Sequence, residues 1–555
     1  MSNVLDQKVG GMDASTDRGS GSVCVVVIAY NDAELVGEAV SSALAQGEVV
    51  SEVIAVDDAS SDGTPGVLDE LAAVHPRLRV IHRTQNSGGC GTPRNDGIKA
   101  ATAPYVLFLD SDDVLPPGAA AALVAAAERH RAPVTVGSCV RRELPQEHDM
   151  PWVPGLYEAP SVIDRPADMP GLVRDTLCVN KLYDRSFLDE HSIRFPDGRF
   201  VYEDFVFTAR VLAAAPRIAV IPELVYVWHV RRSAAQVSIS LDRADIGNWE
   251  ARITAHRKAV GILREAGADA LVTACRIKFL EYDLRMYLRE IGGNADYQAA
   301  WWTMTRAYLA EFTADEIAGA GTCARWAAHV VLATPRPPAD LERLVQFAAE
   351  PPRLLPPYAV ADGEPVWSAE LPGARLDGLA DLPLAELPVT VDARLVTSLA
   401  GELKVHVHDL YGRLAEAGPR SVHLEFDTRR GDEPALSRPV DLHPDGDGGW
   451  TARLPVGMTA LAAAGRRRGR RGLQVWDVRL RVHCADGGSL LASLRPHSER
   501  LRRTALVSSR YGVLLVQPYM TAGGSLALRL APGLHGAVSL VRNRIDRARM
   551  RRQNR

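Results

Sequence analysis

The chain has little that would place it outside the cell or in a membrane. Its seven cysteines are scattered, odd in number and contain no Cys-x-x-Cys pair, which argues against a disulfide framework or structural zinc and for a reducing compartment. Its longest apolar run, Ala119 to Ala127, is Ala-rich and too short to span a bilayer. The first twenty residues are polar and lack a hydrophobic signal core, so residues 1–21 are expected to be disordered and not a secretion signal. Charge of one sign is also missing: 64 Lys+Arg against 68 Asp+Glu leave a net charge of −4, without the broad positive field that wraps nucleic acid. Lysine is scarce, 6 residues against 58 Arg, a bias of composition from which no function follows. What remains is ordinary globular composition, 46% hydrophobic and 24% charged, which excludes a largely disordered or collagen-like chain. At 555 residues the chain is long enough for several cores.

From Val23 to about Ala103, β-branched runs alternate with amphipathic or Ala-rich stretches, the pattern of a doubly wound α/β domain. Val23–Ala29, Glu52–Val56, Leu78–His82 and Tyr105–Leu109 read as strands. Glu34–Gln46 reads as a helix capped by Asp32, Thr64-Pro65 as a cap with proline in the first turn, and Pro116-Pro117 as the start of another helix. Residues 241–350 turn helical; over Cys275–Ile291, Phe279, Leu280, Leu284, Tyr287 and Leu288 share one face. The prolines of 351–357 read as a boundary. Beyond them, Leu403–Val407, Val422–Phe426, Val475–Val482 and Tyr511–Val516 alternate between turn residues, as in an all-β sandwich. The expected organisation is therefore multidomain: an α/β domain at 22–240, a helical linker at 241–350, a β-sandwich-like region at 358–530 and a basic tail at 531–555.

In open α/β sheets the ligand crevice lies beyond the carboxyl ends of the strands. The residues there are polar: Tyr30-Asn31-Asp32 after the first strand, Asp57-Asp58 through Gly63 after the second, and Asp110-Ser111-Asp112-Asp113 after the fourth. Taken singly, each reads equally as turn or cap chemistry. Together, carboxylates clustered at one strand end repel one another unless a cation or donors compensate them, and a divalent metal is the economical answer. The Asn86–Gly97 stretch is either a flexible glycine loop opening a helix or a phosphate contact in which Arg94 donates. It is neither a Walker loop nor a dinucleotide fingerprint.

As an ordered set, Tyr30-Asn31, Asp57-Asp58-Ala59-Ser60, Asn86-Ser87-Gly88 with Arg94-Asn95-Asp96-Gly97, Asp110-Ser111-Asp112-Asp113 and the later Glu203-Asp204 resemble glycosyltransferase family 2, of GT-A (Rossmann-like) fold, over roughly residues 22–235. That resemblance implies a UDP-sugar as nucleotide-sugar donor and inversion at the transferred sugar. It implies that Tyr30 and Asp58 bind the base, that Asp112 is the chief ligand of Mn²⁺ or Mg²⁺ with Asp110 and His229 beside it, and that Asp113 faces the sugar or holds its loop. Asp204, otherwise readable as the acid of a helix first turn, becomes the general base. Arg231 and Arg232 either clamp diphosphate or decorate the surface, and Lys181 either matches a recurrent donor-side position or is an exposed lysine. The processive Gln-x-x-Arg-Trp is missing. The architecture resembles the soluble poly(ribitol-phosphate) N-acetylglucosaminyltransferases of wall teichoic acid, which implies a glycopolymer acceptor, a homo-oligomer built through the C-terminal region, and a cytoplasmic enzyme that touches the inner membrane face or an anionic polymer through its basic tail. A small-molecule or lipid-linked acceptor, a GT-A-like nucleotidyltransferase, and a catalytically inactive carbohydrate-binding or assembly protein are the alternatives. His406, His408 and His423 read as satisfied strand histidines rather than ligands. Arg466–Arg471 reads as a solvated loop or an anionic-polymer contact.

Overall fold

The protein is described from a computed structural model covering residues 23–144, 148–231, 242–428, 433–467, 472–497, 501–521 and 523–533. The basic tail from 534, Arg232 and the extreme N-terminal residues lie outside the described residues. The chain divides into two compact units, Met1–Arg231 with Ala255–Val272, and Arg232–Thr254 with Thr273–Arg555.

In the first unit the β-branched runs form β1 (Val23–Ala29), β2 (Val50–Asp57), β3 (Leu78–His82) and β4 (Tyr105–Asp110), separated by α1 (Val36–Leu44), α2 (Thr64–Val74) and α3 (Gly91–Ala100). All seven residues of β1 are buried, the mark of a strand covered by helices on both faces. After α4 (Ala119–His130) come β5 (Val134–Glu143), β6 (His148–Pro151), β7 (Ser161–Ile163), β8 (Lys181–Asp184), α5 (Arg185–Glu190), α6 (Glu203–Ala214) and β9 (Ile218–Val230). The sheet order is β3-β2-β1-β4-β8-β5-β9-β7, with β6 on β5. Strands β3, β2, β1 and β4 are parallel, whereas β8 runs antiparallel to both β4 and β5, so the sheet is mixed. The crevice beyond the ends of β1 and β4 is the topological switch point.

Two expected caps are reassigned. Helix α1 starts at Val36 behind Leu35, because the Asp32 carboxylate accepts the Ser111 hydroxyl instead. Thr64 lies inside α2; its hydroxyl donates to Asp62 at 2.6 Å and accepts the Asp32 N–H at 2.9 Å, which ties loop to loop.

The helical region contains α7 (Ile246–Glu265), α8 (Asp269–Lys278), a π-helical turn at Phe279–Leu284, α9 (Arg285–Leu288), α10 (Ala295–Leu309), α11 (Ala314–Ala318), α12 (Thr322–Ala333) and α13 (Leu341–Val345). Helices α7 and α8 contribute residues to both units. Phe279, Leu280, Leu284, Tyr287 and Leu288 are all buried, as their spacing predicts. The proline stretch is not a loose linker. Arg353 and Leu354 within it are fully buried, with Arg353 Nε donating to Gln346 at 2.7 Å and Nη2 to the Gly523 carbonyl at 3.0 Å. One apolar cluster, from Trp249 through Trp326 to Leu530, joins helices and strands in the second unit. The residues between the prolines, 353–355, are buried, and the hydrophobic effect unites what composition divides.

The β region holds a three-stranded antiparallel sheet over Ala359–Arg375 and a 12-stranded sheet system from Val391 to Pro532. Alternation is strict in Gln474–Cys484, where every second residue is buried. His408 bonds Asp392 at 2.8 Å and His406 bonds Asp445; His423 lies 2.9 Å from His483. Met458–Arg467 is a helix, so Arg466 and Arg467 end a helix rather than lie in a loop; residues 468–471 fall outside the described residues. Among the described residues no helix is long and apolar enough to cross a membrane.

Candidate active site

Local sequence chemistry binds the three strand-end loops into one rim. Asn31 takes a left-handed conformation (φ 54°), which its short polar side chain tolerates, and its carboxamide oxygen accepts the Ser61 N–H at 2.8 Å while its own N–H reaches the Ser60 hydroxyl at 2.9 Å. The Asp32–Ser111 bond fastens the β1 loop to the β4 loop. Tyr30, next to Asn31, is 44% exposed, an aromatic surface open to a planar base. Asp58, by contrast, is buried. It accepts the Ser87 N–H at 3.0 Å, the Ser87 hydroxyl at 2.8 Å and the Asn86 amide at 3.0 Å, with Arg83 Nε at 2.8 Å. In this arrangement Asp58 holds the 83–87 loop against the rim.

The glycine-rich stretch does not form an open phosphate cradle. A Cβ on Gly91 would collide with the Pro196 carbonyl, and one on Gly89 would sit 2.9 Å from the Gly198 carbonyl. Thr92 accepts the Gly198 N–H at 2.9 Å, and Asn95 both accepts the Phe195 N–H at 2.9 Å and donates to its carbonyl at 3.0 Å. Gly97 lets α3 lie against β1, since a Cβ there would strike the Val26 methyls. Arg94 therefore points inward, 4% exposed, donating to Asp110 at 2.6 Å and to Glu203. It links the end of β4 to the start of α6, and so brings Asp204 to the same rim. Asp204 is half-buried in the first turn of α6, behind Tyr202, whose φ of 65° is strained for a non-glycine residue.

Of the β4 carboxylates, Asp113 is buried; its oxygens accept the Tyr226 hydroxyl and the His229 N–H, each at 2.7 Å. Burial, and then the neighbouring Asp112, push its carboxyl well above the usual range. It holds the loop. The Asp112 side chain is 42% exposed, and its carboxyl is raised to about 6 by partial burial and by Asp110 and Asp32. The His229 ring lies 3.2 Å from the Asp112 carbonyl and 3.3 Å from Arg231 Nη2; burial, reinforced by Arg231, lowers its pKa. Arg231 Nη1 donates to the Asp112 carbonyl at 2.7 Å, so this guanidinium already belongs to the Asp110–Asp113 loop.

Lys181 is not brought to the rim. It is 5% exposed, its ammonium donating to Asp175 at 2.7 Å, to Asn180 at 3.0 Å and to the Leu177 carbonyl. Burial alone would raise the Asp175 carboxyl, but Lys181, Tyr157 and Asn180 hold it below its usual value. The pair is a structural anchor for β8.

Asp110, Asp112 and His229 do not place their donor atoms within 4.8 Å of one another; among the described residues Asp392, His406 and His408 meet that spacing instead. Asp110 is committed to Arg94. Asp112 fits a cation as a single, partly exposed carboxylate whose charge the neighbouring acids oppose, which suits Mg²⁺ or Mn²⁺ completed by substrate phosphates. Sequence reading gave Tyr226 no role and took Asp32 for a helix cap rather than the tie to Ser111. Tyr226 lies among apolar strand residues, and Asp32 in a stretch rich in cap residues.

Residues 24–191 match the family model of glycosyl transferase family 2. This segment is a glycosyl transferase family 2 domain. The domain is similar, at 32% identity over 234 residues, to the succinoglycan biosynthesis protein ExoO of Rhizobium meliloti, covering 40% of this chain and 65% of that protein. It is 30% identical over 223 residues to the poly(ribitol-phosphate) beta-glucosyltransferase of Bacillus spizizenii, covering 39% of this chain and 34% of that one. The match thus spans less than two thirds of either relative. The crystal structure of S. aureus TarS aligns with a TM-score of 0.51 over 92% of this chain and 85% of TarS at 17% identity, a likeness of fold.

Proposed function

We propose that the chain is an inverting, divalent-cation-assisted glycosyltransferase that moves a sugar from a UDP-sugar to a hydroxyl of a surface glycopolymer of the teichoic-acid kind. The observation that carries this reading is the Arg94 bridge, which fixes the Asp110–Asp113 loop and the Glu203-Asp204 turn as one rigid rim. The relatives support the acceptor class, one a succinoglycan biosynthesis protein and another a poly(ribitol-phosphate) beta-glucosyltransferase.

Tyr30 offers its exposed ring to the base, with Asp58 keeping the adjoining loop in place. Asp204 takes the proton of the acceptor hydroxyl as that oxygen attacks the anomeric carbon from the face opposite the diphosphate. The new C–O bond forms as the old one breaks, its electron pair leaving with UDP, and the configuration inverts. A cation on Asp112 would supply neutralisation of the leaving diphosphate. Asp113 and Tyr226 keep that carboxylate's loop from moving as charge develops.

None of the seven cysteines is in a disulfide, which supports a reducing, cytoplasmic setting. We also infer self-association through the C-terminal β region, which light scattering of the full chain tests; a monomer there removes that part. The activity is tested by UDP release from a panel of UDP-sugars, with and without Mn²⁺, in the presence of poly(ribitol phosphate). Turnover with at least one donor is expected, and none with any donor refutes the reading.

A further inference from the structure

The outer face of the β region carries a row of like charges that the fold alone does not explain. Strand Glu402–His408 pairs antiparallel with Val391–Val396 on one side and Gly449–Pro455 on the other, in a register that sets Arg394, Lys404 and Arg453 directly opposite one another. At the spacing of adjacent strands the row spans about 10 Å. Like charges directly opposite on a sheet are destabilising. Compensation is slight: Lys404 has Glu402 at 3.8 Å, and Arg394 and Arg453 have no ion-pair or hydrogen-bond partner among the described residues. The row lines a concavity of about 630 Å³ that also receives His406, His443 and His497. His497 continues the row beyond Arg394, its N–H donating to the Ala393 carbonyl at 2.8 Å. The acid deepest in this face, Asp392, is neutralised from its own side by Arg495, at 2.6 Å, and by His408. Asp441, on the margin, is the remaining acid of the lining. The face is cationic, polar and concave, with unspent guanidinium donors, which is what phosphate recognition requires.

We propose that the Arg394–Lys404–Arg453 row is a docking site for a phosphodiester polymer, holding the acceptor chain by groups that do not react. This rests on the glycopolymer reading above and names the part of the acceptor the second unit takes: its backbone phosphates, not its sugars. A charged line across three strands meets a chain with repeated single negative charges, and a tethered polymer presents its hydroxyls at raised effective concentration.

The test uses the full chain and a variant with Arg394→Gln, Lys404→Gln and Arg453→Gln. Fluorescently labelled poly(ribitol phosphate) should bind the variant at least tenfold more weakly, with a shallower salt dependence, while a charge-preserving variant, Arg394→Lys with Arg453→Lys, keeps the salt dependence and binds more tightly than the glutamine variant. The glutamine variant should melt at the same or a higher temperature, because repulsion is relieved. Unchanged polymer affinity, equal loss for neutral dextran, or a lowered melting temperature accompanying the loss overturns the site, as does capture of anionic phospholipid vesicles without the polymer. Polymer binding that depends on the row in a chain that turns over no UDP-sugar keeps the site and refutes the transferase reading instead.

Discussion

Arg94 Nη2 lies 2.6 Å from an Asp110 oxygen, so the last residue of β4 is held by a cation rising from α3 rather than left to meet a substrate. The second arm of the same guanidinium takes Glu203 in a buried bond, while the Asp110 side chain stays 32% exposed. A planar fork is needed to satisfy two carboxylates at once. Arg94→Lys should therefore lower kcat by about 10²-fold through misplacement of the rim, with little change in the KM for donor. Steady-state kinetics decide it: a selective rise in donor KM would make Arg94 a phosphate contact after all.

Asp204→Asn keeps the shape of the side chain but cannot accept a proton. Transfer should fall by about 10²–10⁴-fold while donor affinity stays near that of the unaltered chain. Turnover close to that of the parent chain would take the role of base away from Asp204.

Asp112→Ala should abolish the part of UDP affinity that depends on Mn²⁺. Calorimetry in Mn²⁺ and then in EDTA reads it directly, and equal affinities under both conditions would sink the metal assignment.

Lys181→Met leaves Asp175 as an uncompensated buried charge, which costs about 3–5 kcal/mol of stability. Urea unfolding should show that loss, with donor affinity per folded molecule unchanged. The pH dependence follows from Asp175: its folded-state carboxyl lies below its unfolded value, so its stabilisation is present above the unfolded pKa of about 4 and is lost as pH falls through the folded value. Asp175→Asn should flatten that acid limb of the unfolding curve.

Where local pattern decides structure, sequence reading places elements closely. Val23–Ala29 and Leu78–His82 are strands with the expected ends, because short segments holding β-branched residues between polar stretches leave few options. The face of Phe279 and Leu284 is likewise legible, although the π-turn that carries it is not. What stays hidden is whatever depends on partners distant in sequence. Lys181 reads as an exposed lysine or a donor contact until Asp175 is folded around it, and Arg94 reads as a phosphate ligand until Phe195–Gly198 covers its loop. Proline content suggests a break at 351–357, yet Arg353 and Leu354 are buried there.

The glycines at 89 and 91 let main chain meet main chain across Phe195–Phe200, with no side chain between to absorb movement. Thr92 and Asn95 lace the two segments together. Local opening of one must then break bonds of the other, so their amide protons should exchange with solvent at one shared rate, as a single cooperative unit. A donor that quiets the 86–91 stretch would on that account also quiet Phe195–Phe200, the segment that leads into the turn of the proposed base Asp204.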